Sequence, residues 1–544
     1  MFWADRLAKE IRERFQPLGG SEALVVRDEK TVSGRVHIGS MRGVAIHGAV
    51  HEALGDARVA GVFRYEFNDF DPMDDIPAYL DRATYEPHLG KPLCRVPSPD
   101  ASAKNYGEYF AQEFKGVIEG AGWHPEFYWA SELYRSGAMD GVIREALEGA
   151  DAIRRIQKEV SGSDKKEGWL PISVVCPQCG KIATTDATNF DGATVEVNCY
   201  ETKVLYTKGC GFNGRMSPFG GNSKLFWKAE WGAKWKVCSV KVEGAGKDHS
   251  TKGGSREVAN HIAKEVFKYE PPFDVPYEFF LVGGKKMSSS KGRGSSAKEI
   301  ADLLPAKIFR LALLGKDINQ AINFDPEGDT IPILYDQYDA LAAGYQKVQD
   351  DDYARLFEFV HPAEDASRSP SAEDGVSVHV RHLPPAGTFF PRFSQVAFLV
   401  QMPHLSLERE VVTLKGSELT DADKQELAER AAYAKKWLAE YAPEKFVFTL
   451  QGTLPEAAKN LSALQKKALS ELHEYVKTGD TMPSGEEIQK KLHQIKESLA
   501  IQPQDLFGAL YLSFLGKSYG PKIGWFLSVL DKDFVLKRLQ EVTA

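Results

Sequence analysis

The sequence predicts an α/β protein: a parallel-sheet domain carrying a small cysteine-bearing insertion, followed by a mostly helical C-terminal region. Three observations predict it. The first third alternates short apolar strand runs with helical runs, the pattern of a parallel sheet with crossover helices. From Ser161 to about Trp235 that alternation gives way to Gly, Cys, Trp and short strand-like pieces. Beyond about residue 300 the apolar residues recur at helical spacing. The expected bounds are 1–160 and 236–300 for the two halves of the sheet domain, 161–235 for the insertion, 301–350 for a helical connector and 351–544 for the helical domain.

The start, "MFWADRLAKEIRERFQPLGG", reads as an amphipathic helix with Phe2, Leu7, Ile11 and Phe15 as its buried stripe; it is charged throughout and lacks a secretory core. "EALVV" is the first strand. The joint "TVSGRVHIGSMRG" connects it to "MRGVAIHGAVHEALG", which sets Val44, Ala45, Ala49, Val50, Ala53 and Leu54 on one helical face and ends at Gly55. "RVAGVFRYEFND" is a second strand. "EFYWASELY" is a third, followed by the helical run "GAMDGVIREALEGADAIRRIQKEV". After the insertion, alternation resumes with the helix "GGSREVANHIAKEVFKYE" and the strand "VPYEFFLV", which ends in "GGKKMSSSKGRGSS". "HPAEDASRSPSAEDG" reads as a polar, exposed loop. Further on, Thr420 and Asp423 suit a capping box before Leu427, Ala431, Ala434, Leu438 and Tyr441 at helical spacing.

Composition bounds the function. The chain of 544 residues is 43% hydrophobic and 26% charged, with a formal charge of -8. A mildly acidic whole neither requires nor excludes nucleic acid, which needs only a local basic face. No apolar run approaches the roughly 20 residues that span a bilayer, so a cytoplasmic location without membrane contact is expected. Six cysteines in so long a chain are too few for a disulfide scaffold and suit metal binding better. Cys176 and Cys179 form a "CPQCGK" knuckle, and Cys199 and Cys210 follow, the latter in "KGCGFNG". Four thiolates from two turns would close a structural zinc site. Zinc with a different fourth ligand, and cysteines merely buried, are the alternatives. Cys94 and Cys238 are isolated and read as small core residues.

The joint carries chemistry. A glycine-containing strand-to-helix turn at the carboxyl edge of a sheet is an anion site, because helix N-terminal amides point outward. Gly34 and Gly39 allow close approach, and His37 can donate to a phosphate oxygen. A tight turn with a surface histidine is the plainer alternative. The second loop, "GGKKMSSSKG", adds Lys286 and Lys291 with three hydroxyls between them. Both loops are expected at the ends of parallel strands of one domain, where open α/β sheets bind ligands.

"HIGS" and "KMSSSKG", with "GAGKDHSTKGGS" between them, resemble the signatures of class I aminoacyl-tRNA synthetases. The resemblance implies a Rossmann-like catalytic domain that binds ATP, with Mg2+. There the amino-acid carboxylate attacks the α-phosphorus and pyrophosphate leaves, while the protein positions groups and stabilises spreading negative charge. It assigns catalysis to His37, Lys286 and Lys291. It assigns ATP contacts to Gly34, His37, Gly39, Ser40, Asp248, Lys286, Met287, Ser288 and Ser289, with Asp248 on the ribose. Two positions depart from the general pattern: Ser40 stands where histidine is frequent, and Ser289 where lysine is. Ser40 either leaves charge stabilisation to His37 and the lysine loop or caps the helix aimed at the nucleotide.

"TVSGRVHIGSMRG", "CPQCGK", "KLFWKAEWGAKW", "GKDHSTKGGS", "KMSSSKG" and "LYLSFLGKSYGPKIGWFLSVLDKDFVLKRL" together resemble the class I lysyl-tRNA synthetases over most of the chain. That branch implies activation of L-lysine and its transfer to tRNA(Lys). It implies a lysine pocket lined by Thr31, Trp227, His249 and Tyr277; core packing is the alternative for Trp227 and Tyr277. A site that bonds a polar terminus rejects analogues by about 10⁴–10⁵ without editing, consistent with the lack of any large second domain that could hydrolyse mischarged product. The carboxylate facing the ammonium is left open among Asp28, Glu29, Asp69 and Asp71, and Glu29 replaces the branch's usual glycine. The C-terminal helices would bind the anticodon. Tyr511, Tyr519, Lys522 and Trp525 are candidates there, with a packed helix pair the favoured alternative. The competing readings are another class I synthetase, for Arg, Cys or Glu, a smaller nucleotidyltransferase, or a non-catalytic zinc-bearing tRNA-binding paralogue.

Overall fold

A computed structural model describes residues 1–15, 23–284, 296–348, 351–365, 379–402 and 405–544. The chain forms two compact units. One comprises Met1–Phe324 and Leu341–Leu383, the other Asp325–Ala340 and Pro384–Ala544. No helix among the described residues is long and apolar enough to cross a membrane.

The first unit is built on five parallel strands. They are β1 (Leu24–Thr31), β2 (Gly61–Asn68), β3 (Glu126–Trp129) and, after the insertion strands β4 (Ile172–Val174), β5 (Thr185–Thr188), β6 (Val195–Cys199), β7 (Asn213–Met216) and β8 (Ser223–Leu225), β9 (Val240–Gly246) and β10 (Phe273–Tyr277). Their order is β10-β9-β1-β2-β3. β1 is central, paired along its full length with β2 and also with β9. Strand order therefore reverses beside β1, and the crevice at its carboxyl end is where such sheets bind ligands.

Helix α1 (Trp3–Phe15) buries Trp3, Leu7 and Ile11. Phe2 is buried beside it, and Phe15 is only half-buried at its end. Helix α2 (Met41–Asp56) is buried nearly all round rather than on one face, since Arg42, His47 and Glu52 join the expected apolar residues inside. The Arg42 guanidinium is absorbed by the carbonyls of Leu313, Lys316 and Asp317, and Glu52 pairs with Arg310 at 2.8 Å. Buried charges persist only when paired in this way. Gly55 lies inside α2 rather than after it. The long run after β3 is two helices, Asp140–Glu148 and Ala150–Ser161, meeting at Gly149, where a side chain would press on Val266 and the Glu145 carbonyl.

The insertion folds as an antiparallel β5-β6-β7 sheet and a β4-β8 pair. The segment "VPYEFFLV" is two strands. β10 completes the main sheet, whereas β11 (Phe280–Val282) leaves it and pairs in parallel with β12 (Ile322–Phe324). The lysine loop thus follows a strand outside the central sheet. The start of "HPAEDASRSPSAEDG" is also extended, Ala363–Asp365 pairing antiparallel with His379–Arg381.

The second unit is helical. Capping boxes at Thr420, Ser462 and Ser484 start the helices Asp421–Glu440, Ala463–Lys477 and Gly485–Ser498. In the first of these, Leu427, Ala431 and Ala434 are buried, but the stripe turns onto Trp437 and leaves Leu438 and Tyr441 half-buried. The Trp437 indole packs on Phe393 and Phe446 and donates to the Pro326 carbonyl, so its bulk sets the helix rotation. Trp525 packs on Phe398 with ring centres 4.7 Å apart, and the Tyr511 hydroxyl donates to the Pro521 carbonyl. Tyr519 and Lys522 are exposed.

Candidate active site

The β1–α2 joint runs from Val32 to a single 3-10 turn, Ile38–Ser40, and then into α2. The backbone of His37 is extended, pairs with Ser296 as an isolated bridge, and lies beside Val36, whose carbonyl accepts from the Ala297 amide at 2.8 Å. Gly39 leaves room for the His37 ring. A Cβ there would come within 2.9 Å of the His37 Nδ1 and 3.3 Å of the Phe280 carbonyl oxygen. Ser40 occupies the N-cap of α2 but does not cap it. Its backbone is helical and its hydroxyl makes no capping bond, because the preceding 3-10 turn has already placed it inside the spiral. Gly34 is buried in the joint.

A cavity of about 340 Å³ opens at this edge of the sheet. His37, Gly39, Ser40 and Arg42 line it from the joint, and Asp28, Glu29 and Lys30 from β1. Glu243, Asp248, His249 and Tyr277 line it from β9, the following loop and β10, and Trp227 and Trp231 from the helix Trp227–Val237. Trp227 is 42% exposed and stacks on Trp231 at 5.8 Å, and both rings meet His249 edge-on. His37, Gly39, Ser40, Asp248, Trp227, His249 and Tyr277 therefore face one space. Thr31 does not line it; its hydroxyl donates to Asp71 at 2.6 Å. Lys286, Met287, Ser288, Ser289 and Lys291 lie outside the described residues.

Under the cavity lies a network of charges. Arg27, fully buried, donates to both oxygens of Glu243 at 2.9 Å, to Glu66 at 2.7 Å, to Glu29 and to the Tyr128 hydroxyl. Lys234, also fully buried, pairs with Glu66, with Glu230 at 3.2 Å and with Glu29 at 3.6 Å. Lys224 on β8 joins Glu230 to Asp71. Glu243 also accepts from the indoles of Trp231 and Trp235. Burial alone would raise the Glu29 carboxyl, but Lys234 and Arg27 hold it down to about 2. Asp28 differs: burial pushes it up to about 6. Its neighbour Gly43 is bare for a reason, since a Cβ would stand 2.7 Å from the Tyr277 Oη and 2.8 Å from the Asp28 Oδ2. Asp69 is held by the Ser131 amide and hydroxyl and does not line the cavity.

Sequence reasoning missed Arg27, Glu66, Glu230, Lys234 and Glu243. One signal was present: Glu230 and Lys234 sit on the same helical face as Trp227, Trp231 and Trp235, and charge on an apolar stripe implies buried partners.

The insertion brings Cys176, Cys179, Cys199 and Cys210 together, with every Sγ within 4.8 Å of the others. The Cys176–Cys210 and Cys179–Cys199 separations are 3.6 and 3.8 Å, and none of the four forms a disulfide. Tetrahedral zinc with Zn–S near 2.3 Å places its sulfurs about 3.8 Å apart, so the four thiols fit that ion.

A strand-to-helix turn with histidine and glycine over a polar cavity, at the carboxyl edge of a parallel sheet, is the catalytic frame of a class I aminoacyl-tRNA synthetase, and the family model described as tRNA synthetases class I (K) matches residues 1–363. The lysine--tRNA ligase of Methanosarcina barkeri strain Fusaro is 31% identical over 99% of this chain and 97% of that protein. That of Archaeoglobus fulgidus is 30% identical over 99% of each. The chain belongs to the class I lysyl-tRNA synthetase family. Among solved structures, a glutamate tRNA ligase from Elizabethkingia meningosepticum aligns over 96% of this chain and 99% of that one, with 14% identity and a TM-score of 0.44.

Proposed function

We infer that this chain activates L-lysine with ATP, releasing pyrophosphate, and transfers the lysyl group to tRNA(Lys). The observation that carries the reading is the single cavity onto which the first signature, the Asp248–His249 loop and the Trp227 helix converge. The lysine carboxylate oxygen bonds to the α-phosphorus as the bond to the β-phosphate bridging oxygen breaks. Pyrophosphate carries away the electron pair, and the ribose hydroxyl of the tRNA terminus then displaces AMP from the carbonyl.

His37 would serve the triphosphate, Asp248 the ribose, and Trp227 and His249 the lysine stem. Lys286 and Lys291 would supply positive charge from the second loop, with Mg2+ on the phosphates. Four thiolates would hold a structural zinc ion that ties the insertion's turns together. The helical unit would contact the anticodon.

ATP–pyrophosphate exchange across the twenty amino acids tests the reading. Lysine alone should support it in reactions supplied with tRNA, and exchange with a different amino acid instead would sink the assignment. His37→Ala should slow exchange at least about tenfold, since one well-placed donor to developing charge is worth roughly 10²–10³, and should leave tRNA affinity unchanged. Gly43→Ala should slow exchange by about 10²-fold, the cost of misplacing a site by about an ångström, and lower the stability of the sheet unit by about 1–3 kcal/mol, because the added methyl overpacks Asp28 and Tyr277. Unchanged exchange and an unchanged unfolding midpoint would contradict that account.

A further inference from the structure

We propose that Asp28 is the carboxylate that seats the side-chain ammonium group of the amino-acid substrate, and so selects for cationic amino acids. The proposal rests on the lysine-activating reading and adds a residue to it.

Four carboxylates line the cavity; with Asp248 assigned to the ribose, the other three are not equivalent. Glu243 is saturated by Arg27 and two indoles. Glu29 already has Arg27 and Lys234. Asp28 is 9% exposed, and among the described residues no lysine or arginine nitrogen lies within 4 Å of it; His47 lies 3.7 Å away. Both ring nitrogens are engaged elsewhere: Nε2 accepts from the Gly244 amide and Nδ1 meets the Gly43 carbonyl at 2.7 Å. A buried carboxylate without a cation is costly. Asp28 nevertheless opens onto a cavity, and the missing side chain of Gly43 lets its Oδ2 and the Tyr277 Oη pack close against α2. An ammonium entering the cavity supplies the missing charge, whereas a neutral side chain leaves it missing.

The other groups facing Asp28 are Tyr277 from β10, Glu243 from β9, Tyr65 from β2 and Arg27 and Lys30 from its own strand. Burial pushes the Asp28 carboxyl up to about 6, and a seated ammonium draws its pKa down. Lysine affinity should therefore be full above that pH and fall as pH drops through it.

The test is exchange kinetics on the full chain between pH 5 and 7.5. In the unsubstituted protein the KM for lysine should rise as pH falls through about 6. Asp28→Asn should raise the KM for lysine at pH 7.5 at least about tenfold, as expected for removing one partner of a buried charge pair, flatten its pH dependence and leave the KM for ATP unchanged. Asp28→Glu should restore part of the affinity. Two inhibitors separate the two ammonium groups: 6-aminohexanoate lacks the α-ammonium and norleucine lacks the side-chain one. 6-aminohexanoate, which keeps the side-chain ammonium, should bind more weakly to Asp28→Asn while norleucine should not, and the reverse result overturns the assignment. Lysine exchange indifferent to the substitution, or a flat KM profile in the unsubstituted protein, overturns the assignment of Asp28 alone. Exchange with another amino acid and none with lysine overturns the functional reading, and this proposal with it.

Discussion

Replacing Lys234 with methionine is expected to lower the opening free energy of the central sheet by about 3–5 kcal/mol, the usual cost of stranding a buried partner charge. Lys234 has no exposed surface and stands between Glu66, Glu230 and Glu29, of which Glu66 is itself fully buried. Methionine fills the stem's volume but leaves three carboxylates crowded together. Hydrogen exchange at the β1 amides reads the loss locally, which matters in a chain of two units. The exposed pair Lys298–Asp302 is the control, where the same substitution should cost less than about 1 kcal/mol. A Lys234→Met loss as small as the control's would mean that water reaches the network and that its charges are solvated.

The second large effect concerns the cysteine cluster. Purified protein should carry about one zinc per chain, and Cys179→Ser should lose it. Apparent binding free energies of structural zinc run to about 10–16 kcal/mol, far more than three short insertion strands gain by pairing. Removing the ion with a chelator should therefore abolish protection across β5, β6 and β7 while β1 and β2 keep theirs. Elemental analysis showing no zinc, together with unchanged protection after chelation, would refute the site.

Several features were readable in the sequence because they are local. Gly39 beside His37, the "CPQCGK" knuckle and the Thr420–Asp423 box are each fixed by neighbours a few residues away. What was not readable depends on which strand lies beside which. The apolar run "VPYEFFLV" gives a strand signal, but nothing in its period says that β10 pairs with β9 while β11 turns away to β12. The charge network is illegible for the same reason. Arg27, Glu66, Glu243 and Lys234 come from three strands and a helix, and each alone resembles a surface charge. Asp28 and Glu29 are adjacent on β1, yet pleating sends them to opposite faces. One meets α2 and Gly43, the other the tryptophan-bearing helix, so sequence proximity misleads about their roles.

The bridge between His37 and Ser296 alters the polymer statistics of the site. Along the chain the two signatures are far apart, but in the fold the second is flanked by β11, whose Phe280 carbonyl abuts Gly39, and by Ser296, whose backbone lies against His37. The contour separating the lysines from the histidine they would work with shrinks from about 250 residues to about ten, which on loop-closure statistics removes roughly 2–3 kcal/mol of encounter entropy. Folding meets that cost before any nucleotide arrives, so lysines that act on its phosphates, as proposed, would do so as a tethered reagent at high effective concentration.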